Sequence, residues 1–233
     1  MREGRQVRLL SLVDVLEPLS EGDLRELADR CPDLRLRAGQ EFYRPGEHDG
    51  GLFLIKEGRV RVYLITPTGK EATLELLGGG TVLWARRLEM VDAYAVHVRA
   101  VEPTVVAFMG RDELDRFILR NPEVGLRMMD LLADRLGSSN ERMAEIAHKE
   151  VVSRLASQIL RLLESEGVVD REGRKLPAAY THEELGSMIG AGRVAVSRAF
   201  KELRQEGAVD TGRANVRVRD PVALQRIADR EGR

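Results

Sequence analysis

The sequence predicts an α+β protein built from an N-terminal antiparallel β-roll, a long dimerisation helix and a C-terminal winged helix-turn-helix. Three observations carry that prediction. From about Asp33 to Met109, short apolar or alternating runs are punctuated by glycine, the texture of an antiparallel barrel or roll. From Pro122 to about Lys149, apolar residues recur at alternating steps of four and three. Beyond Thr181, two short helical segments flank the tight turn "GAG", and the second carries arginines on one side alone.

Composition sets the limits. With 233 residues, 43% of them hydrophobic, the chain can bury a sizeable core and divide into two domains. No apolar run approaches the roughly 18 residues of a membrane span, and the opening stretch lacks the h-region of a signal peptide. A cytoplasmic protein with no membrane partner is expected. Cys31 is the only cysteine, which excludes an intrachain disulfide and a cysteine-held cluster or zinc finger, and a structural role is expected for it. His48, His97, His148 and His182 are scattered without helical metal spacing, and neither a metal nor a cofactor is expected. No Ser/His/Asp or Cys/His arrangement points to an enzyme. The net charge of −1 implies that any basic surface is local.

Taken in order, residues 11–31 show helical spacing through Leu16, Leu19, Leu24 and Leu27, and Ser20 followed by Asp23 marks a helix start. Strands are expected at Gly51 to Lys56, Arg59 to Thr66 and Glu71 to Leu77, with "EG" and "PTG" turns between them. Helical spacing returns at Arg111. After Pro122, Gly125, Met129, Leu132, Leu136, Ser139, Met143 and Ile146 form one seam that needs a partner helix: either the chain's own β domain or, as the strict alternation favours, a second copy. Domains are therefore expected at 1–121 (N-terminal helix and β-roll), 122–148 (dimerisation helix) and 149–233 (winged helix-turn-helix). Within the last, a helix from Val151 to Glu164 precedes a glycine- and charge-rich turn from Gly167 to Lys175.

The helix pair carries the chemistry. Thr181 and Glu184 form a capping-box signature, Gly190 suits a left-handed cap, and a second helix runs from about Gly192 to Glu206. Wound at about 100° per residue from Arg193, Ser197 falls near 40°, Lys201 near 80°, Val194 near 100° and Arg198 near 140°. The apolar Ala195, Val196, Ala199, Phe200 and Leu203 occupy roughly the opposite side. A two-stranded wing follows, turning at Thr211 and Gly212. Between Ala191 and Arg219 stand seven basic residues (193, 198, 201, 204, 213, 217, 219) and three acidic ones (202, 206, 210). Double-stranded DNA is the partner that rewards such a face: a helix fits the major groove, an arginine fork matches guanine O6 and N7, and other cations hold phosphates. A signalling adaptor using the helix pair for protein contacts is the competing reading.

This order of parts resembles the CRP/FNR superfamily of bacterial transcription regulators. The carriers are "RPGEHDGGLFLIKEGRVRVY" in the β-roll, which in this family is a cyclic-nucleotide-binding-like jelly roll, and "LGSMIGAGRVAVSRAFKELRQEGAV" in the reader. The resemblance implies a homodimer on an imperfect palindrome, RNA polymerase as a partner, and base readout by Arg193, Val194, Ser197 and Arg198. Lys201, Thr181 and Arg213 complete the expected DNA contacts. The "RVxxxR" arrangement looks closest to the nitrogen-control branch. For the sensor, the resemblance places the family's phosphate-cassette glutamate near Ala85 and its Arg-Ser pair at Tyr94 and Ala95, which argues against cyclic AMP. Arg135, Ser139, Asn140 and Trp84 are the candidate contacts to a different small-molecule effector, if sensing is retained.

Overall fold

The structure is a computed structural model that describes residues 2–43, 50–69, 71–84, 95–170, 173–176, 180–211 and 216–232. It divides into two compact units, Met1–Arg135 and Leu136–Arg233.

The first unit opens with α1 (Arg2–Leu10), a 3-10 turn (Asp14–Leu16) and α2 (Glu21–Arg30). The helical stretch expected over 11–31 is thus broken, because Pro18 precedes a new start at Ser20. There the Ser20 hydroxyl accepts from the Asp23 N–H at 3.2 Å, and the Ser20 N–H donates to the Asp23 carboxylate at 3.1 Å. Helix α1 was not foreseen in the sequence.

Eight strands follow: β1 (Asp33–Leu36), β2 (Glu41–Tyr43), β3 (Gly51–Glu57), β4 (Arg59–Ile65), β5 (Glu71–Gly78), β6 (Thr81–Trp84), β7 (Ala95–Ala100) and β8 (Thr104–Gly110). They form two antiparallel four-stranded sheets, β1-β8-β3-β6 and β2-β7-β4-β5. Phe53, Ile55, Leu83 and Val106 from the first sheet meet Val60, Val62, Val96 and Val98 from the second in one core. The first sheet is covered on its other face too, where Leu52, Leu54 and Met109 pack with Leu16, Leu24, Leu114 and Val124 of the helices. Burial on both faces explains why β3 reads as an unbroken apolar run, whereas β5 buries Thr73 and Leu77 and leaves its other positions exposed or half-buried. Gly58, at the "EG" turn, has φ +84, and a Cβ there would fall 2.5 Å from the Pro103 carbonyl oxygen, so no other residue fits that corner.

Helix α3 (Arg111–Arg120) leads into α4 (Pro122–His148), which continues from the first unit into the second. Of the expected seam, Met129, Leu132, Leu136, Met143 and Ile146 are all exposed apolar side chains. Gly125 differs: it faces α3, where an added Cβ would lie 3.0 Å from Ile118.

In the second unit, α5 (Val151–Glu166) is followed by β9 (Val168–Asp170), β10 (Gly173–Lys175), α6 (His182–Ile189), α7 (Arg193–Gln205), β11 (Val209–Thr211), β12 (Val216–Val218) and α8 (Pro221–Ala228). The Gly167–Lys175 stretch is a hairpin and not merely a turn, and β10 pairs with β12, so the sheet order is β11-β12-β10-β9. The two-stranded wing is therefore half of a four-stranded sheet. Helix α8 also went unforeseen, although Asp220 before Pro221 is a readable start: the Asp220 carboxylate accepts from the Val222 and Ala223 N–H groups at 2.9 and 3.0 Å.

Candidate nucleic-acid interface

The reading helix is held by its apolar back. Val196, Phe200 and Leu203 of α7 are fully buried beside Leu185 and Ile189 of α6. At the crossing, a Cβ on Gly186 would lie 2.4 Å from the Ala191 carbonyl oxygen, so only glycine lets the chain turn this tightly. Gly190 closes α6 at φ 64, the left-handed cap the sequence predicts. The start of α6 is the predicted capping box: the Thr181 hydroxyl accepts from the Glu184 N–H at 3.1 Å, and the Thr181 N–H donates to the Glu184 carboxylate at 2.8 Å.

With the apolar back fixed, the opposite face turns outward. Arg193, Val194, Ser197, Arg198 and Lys201 are all exposed, as the helical winding predicts, with Val194 at 66%. Among the described residues, Arg193, Arg198 and Lys201 have no acidic partner within ion-pair distance. The remaining described cations of the region, Arg204, Arg217 and Arg219, are engaged. Arg217 forms two bonds to the Asp170 carboxylate, at 2.5 and 2.9 Å, bracing β12 against β9. Arg219 holds Asp210 at 2.9 Å and depresses its pKa, chiefly through that bond. Arg204 donates to the Thr211 hydroxyl at 2.6 Å. Arg213 lies outside the described residues. Among the described residues, the basic charge without an acidic or hydroxyl partner is thus concentrated on α7, and Arg217 is a strut within the sheet. Thr181 is exposed, and its hydroxyl also donates to Glu184 at 2.8 Å, so the cap takes its proton and one lone pair.

One residue on this face was missed. His182, the first residue of α6, stacks on Phe200 with ring centroids 5.0 Å apart, and its Nδ1 lies 2.8 Å from Ser197 Oγ. Burial holds its pKa below the ordinary histidine value, and the neighbouring Arg193 and Arg204 push the same way. Its place next to the Thr181 cap was visible in the sequence; its reach to Ser197 was not, since that depends on how the two helices cross.

The candidate effector residues are divided between the two units. In the first unit, Arg135 donates from Nη2 to the Thr81 hydroxyl at 3.0 Å and the Val82 carbonyl at 2.8 Å, and its Nε lies 3.2 Å from Glu75. Trp84 packs half-buried against the helix-covered apolar cluster of the first sheet. Ser139 and Asn140 belong to the second unit, Ser139 half-buried and Asn140 exposed. The expected phosphate-cassette positions Ala85 and Tyr94 fall outside the described residues.

Comparisons with known proteins bear on both units. Residues 33–121 match the cyclic nucleotide-binding domain, and residues 153–227 match the Crp-like helix-turn-helix domain. A cyclic AMP receptor protein of Thermus thermophilus is 30% identical over 82% of this chain and 85% of its own length. A global nitrogen regulator of Synechocystis is 24% identical over 78% of this chain and 82% of its own. Among solved structures, a CooA variant from Carboxydothermus hydrogenoformans superimposes with a TM-score of 0.76 at 23% identity, covering 96% of this chain and 99% of that one, which is a likeness of fold.

Proposed function

The chain belongs to the CRP/FNR superfamily of bacterial transcription regulators, and we propose that it binds an imperfect DNA palindrome as a homodimer, each copy laying α7 in the major groove. DNA-binding transcription regulation is the activity of this family. The observation that carries the finer reading is the exposed row Arg193, Val194, Ser197, Arg198 and Lys201, unneutralised by described acids and backed by a buried apolar face. Arg198 or Arg193 reads guanine through O6 and N7; Val194 offers no polar group and suits a thymine methyl. Lys201 and Arg213 serve phosphates, and Thr181 fixes the start of α6 near the backbone. The exposed seam of α4 is the surface for the second copy, which sets two reading helices about one helical turn apart, roughly 34 Å.

The β-roll unit is the sensor in this proposal, taking a small-molecule effector other than cyclic AMP. The sequence offers Tyr94 and Ala95 where an arginine and a serine would grip a cyclic phosphate. Arg135, Ser139, Asn140 and Trp84 are its proposed contacts, and an effector that takes Arg135 must displace its bonds to Thr81 and Val82. RNA polymerase is the proposed protein partner and the cytoplasm the proposed site of action; no described helix is long and apolar enough to cross a membrane.

Selection of bound duplexes from a random library tests this reading, and two inverted half-sites are expected. Affinity for random duplex should fall steeply with salt, through counterion release. A flat salt response or an asymmetric single site would overturn it. Titration with cyclic AMP and native mass spectrometry of the purified protein test the effector, with no heat of binding expected from cyclic AMP.

A further inference from the structure

A serine hydroxyl alone is a poor reader of bases. It rotates among staggered positions and can donate or accept, so it discriminates little between base edges. Ser197 is not alone. His182 places Nδ1 2.8 Å from its Oγ, and the imidazole is itself immobilised by the stack on Phe200, with ring planes 22° apart. Phe200 is buried in the joint between α6 and α7, so the ring rests on a surface that moves only if that joint opens. The two bonding partners come from different helices, 15 residues apart, and their meeting reports the correct crossing of the pair.

The charged groups acting on the imidazole are Arg193 and Arg204, both of α7. With burial they favour the neutral ring, which has one donor and one acceptor nitrogen. If Nδ1 accepts, the serine proton points inward and the oxygen lone pairs face the groove, ready for adenine N6 or cytosine N4; if Nδ1 donates, the serine proton is free to face an acceptor. The first tautomer leaves Ser197 a single polarity, that of an acceptor; in the second Oγ keeps its proton and one lone pair, and the bond fixes where the oxygen sits.

We propose that His182 is a positioning residue for base readout, holding the Ser197 hydroxyl so that it discriminates one base pair in each half-site. The inference rests on the major-groove reading given above. Its test compares the full-length protein with His182→Phe, which keeps the stack and loses the bond, and His182→Asn, which keeps a polar atom near the Nδ1 position. For each, the base preference across the selected site and the affinity for random duplex are measured. His182→Phe should lose about three- to tenfold of the preference at one base pair per half-site, with random-duplex affinity and the guanine preference unchanged. His182→Asn should retain much of it, Ser197→Ala should flatten the same base pair, and adding His182→Phe to Ser197→Ala should cost nothing more. The inference is overturned if His182→Phe keeps the wild-type profile, or if it weakens all sequences equally, which would make the histidine a phosphate contact or a packing element. A wild-type protein that selects no motif would overturn the base-readout proposal itself, and a loss confined to the His182 variants would not.

Discussion

Arg198 and His182 give the sharpest residue-scale expectations, because one is exposed and the other is half-buried and bonded across the helix pair. Arg198→Ala should lose about 1–3 kcal/mol on the selected site and relax preference at a single base pair; competition against operators altered at each position checks it, and an equal loss on random DNA counts against base contact. His182 supplies a pH dependence. Its folded pKa lies below the ordinary value of 6.5, through burial first and then Arg193 and Arg204, so below about pH 6.5 the unfolded chain takes up the proton more readily than the folded one. Its contribution to stability is complete above that pH and is lost as the pH falls through the folded pKa. Thermal midpoints measured between pH 7.5 and 5.5 should decline more steeply for the wild type than for His182→Phe. Cys31, buried and with its thiol pushed up to about 11 by burial, contributes nothing to that window.

Single elements show what could be read in advance. The faces of α7 followed from winding alone, since a 13-residue helix with one apolar side has only one way to pack. Both capping boxes were legible because their partners lie three residues apart. What escaped depends on distant partners. The β9–β10 hairpin has too few residues to signal a strand, and it exists through pairing with β12 some forty residues on; the internal role of Arg217 is unreadable until Asp170 is seen beside it. Arg135, a proposed effector contact, shows the same dependence, for it finds its bonds on β5 and β6 and not along its own helix. Gly186 and Gly190 separate two reasons for glycine. Gly190→Ala should lose about 1 kcal/mol, because only its left-handed backbone is strained. Gly186→Ala, with ordinary helical geometry but a carbonyl oxygen 2.4 Å away, should lose more, about 1–3 kcal/mol, and impair DNA binding as the pair is pried apart. Urea unfolding followed by circular dichroism ranks the two, and the reverse order would refute the close-crossing explanation.

For the molecule as a whole, the exposed apolar row of α4 has the largest consequence. Leu136→Lys puts a charge into the proposed seam at a position that is 63% exposed in the single chain, so the protomer should fold as before. Light scattering should show a monomer, and operator affinity should drop at least tenfold while a half-site is bound about as weakly as by the wild type. A dimer that survives this change places the seam elsewhere. The two compact units each have their own buried core, in keeping with separate matches to a cyclic nucleotide-binding domain and a Crp-like helix-turn-helix domain. Finally, the wing is stitched in: β12 has a neighbour on either side, and the Leu176 N–H donates to the Val216 carbonyl at 3.0 Å. Backbone amides of β12 should consequently exchange with deuterium slowly, and a protease nick introduced between β11 and β12 should leave both fragments associated instead of releasing a loose flap.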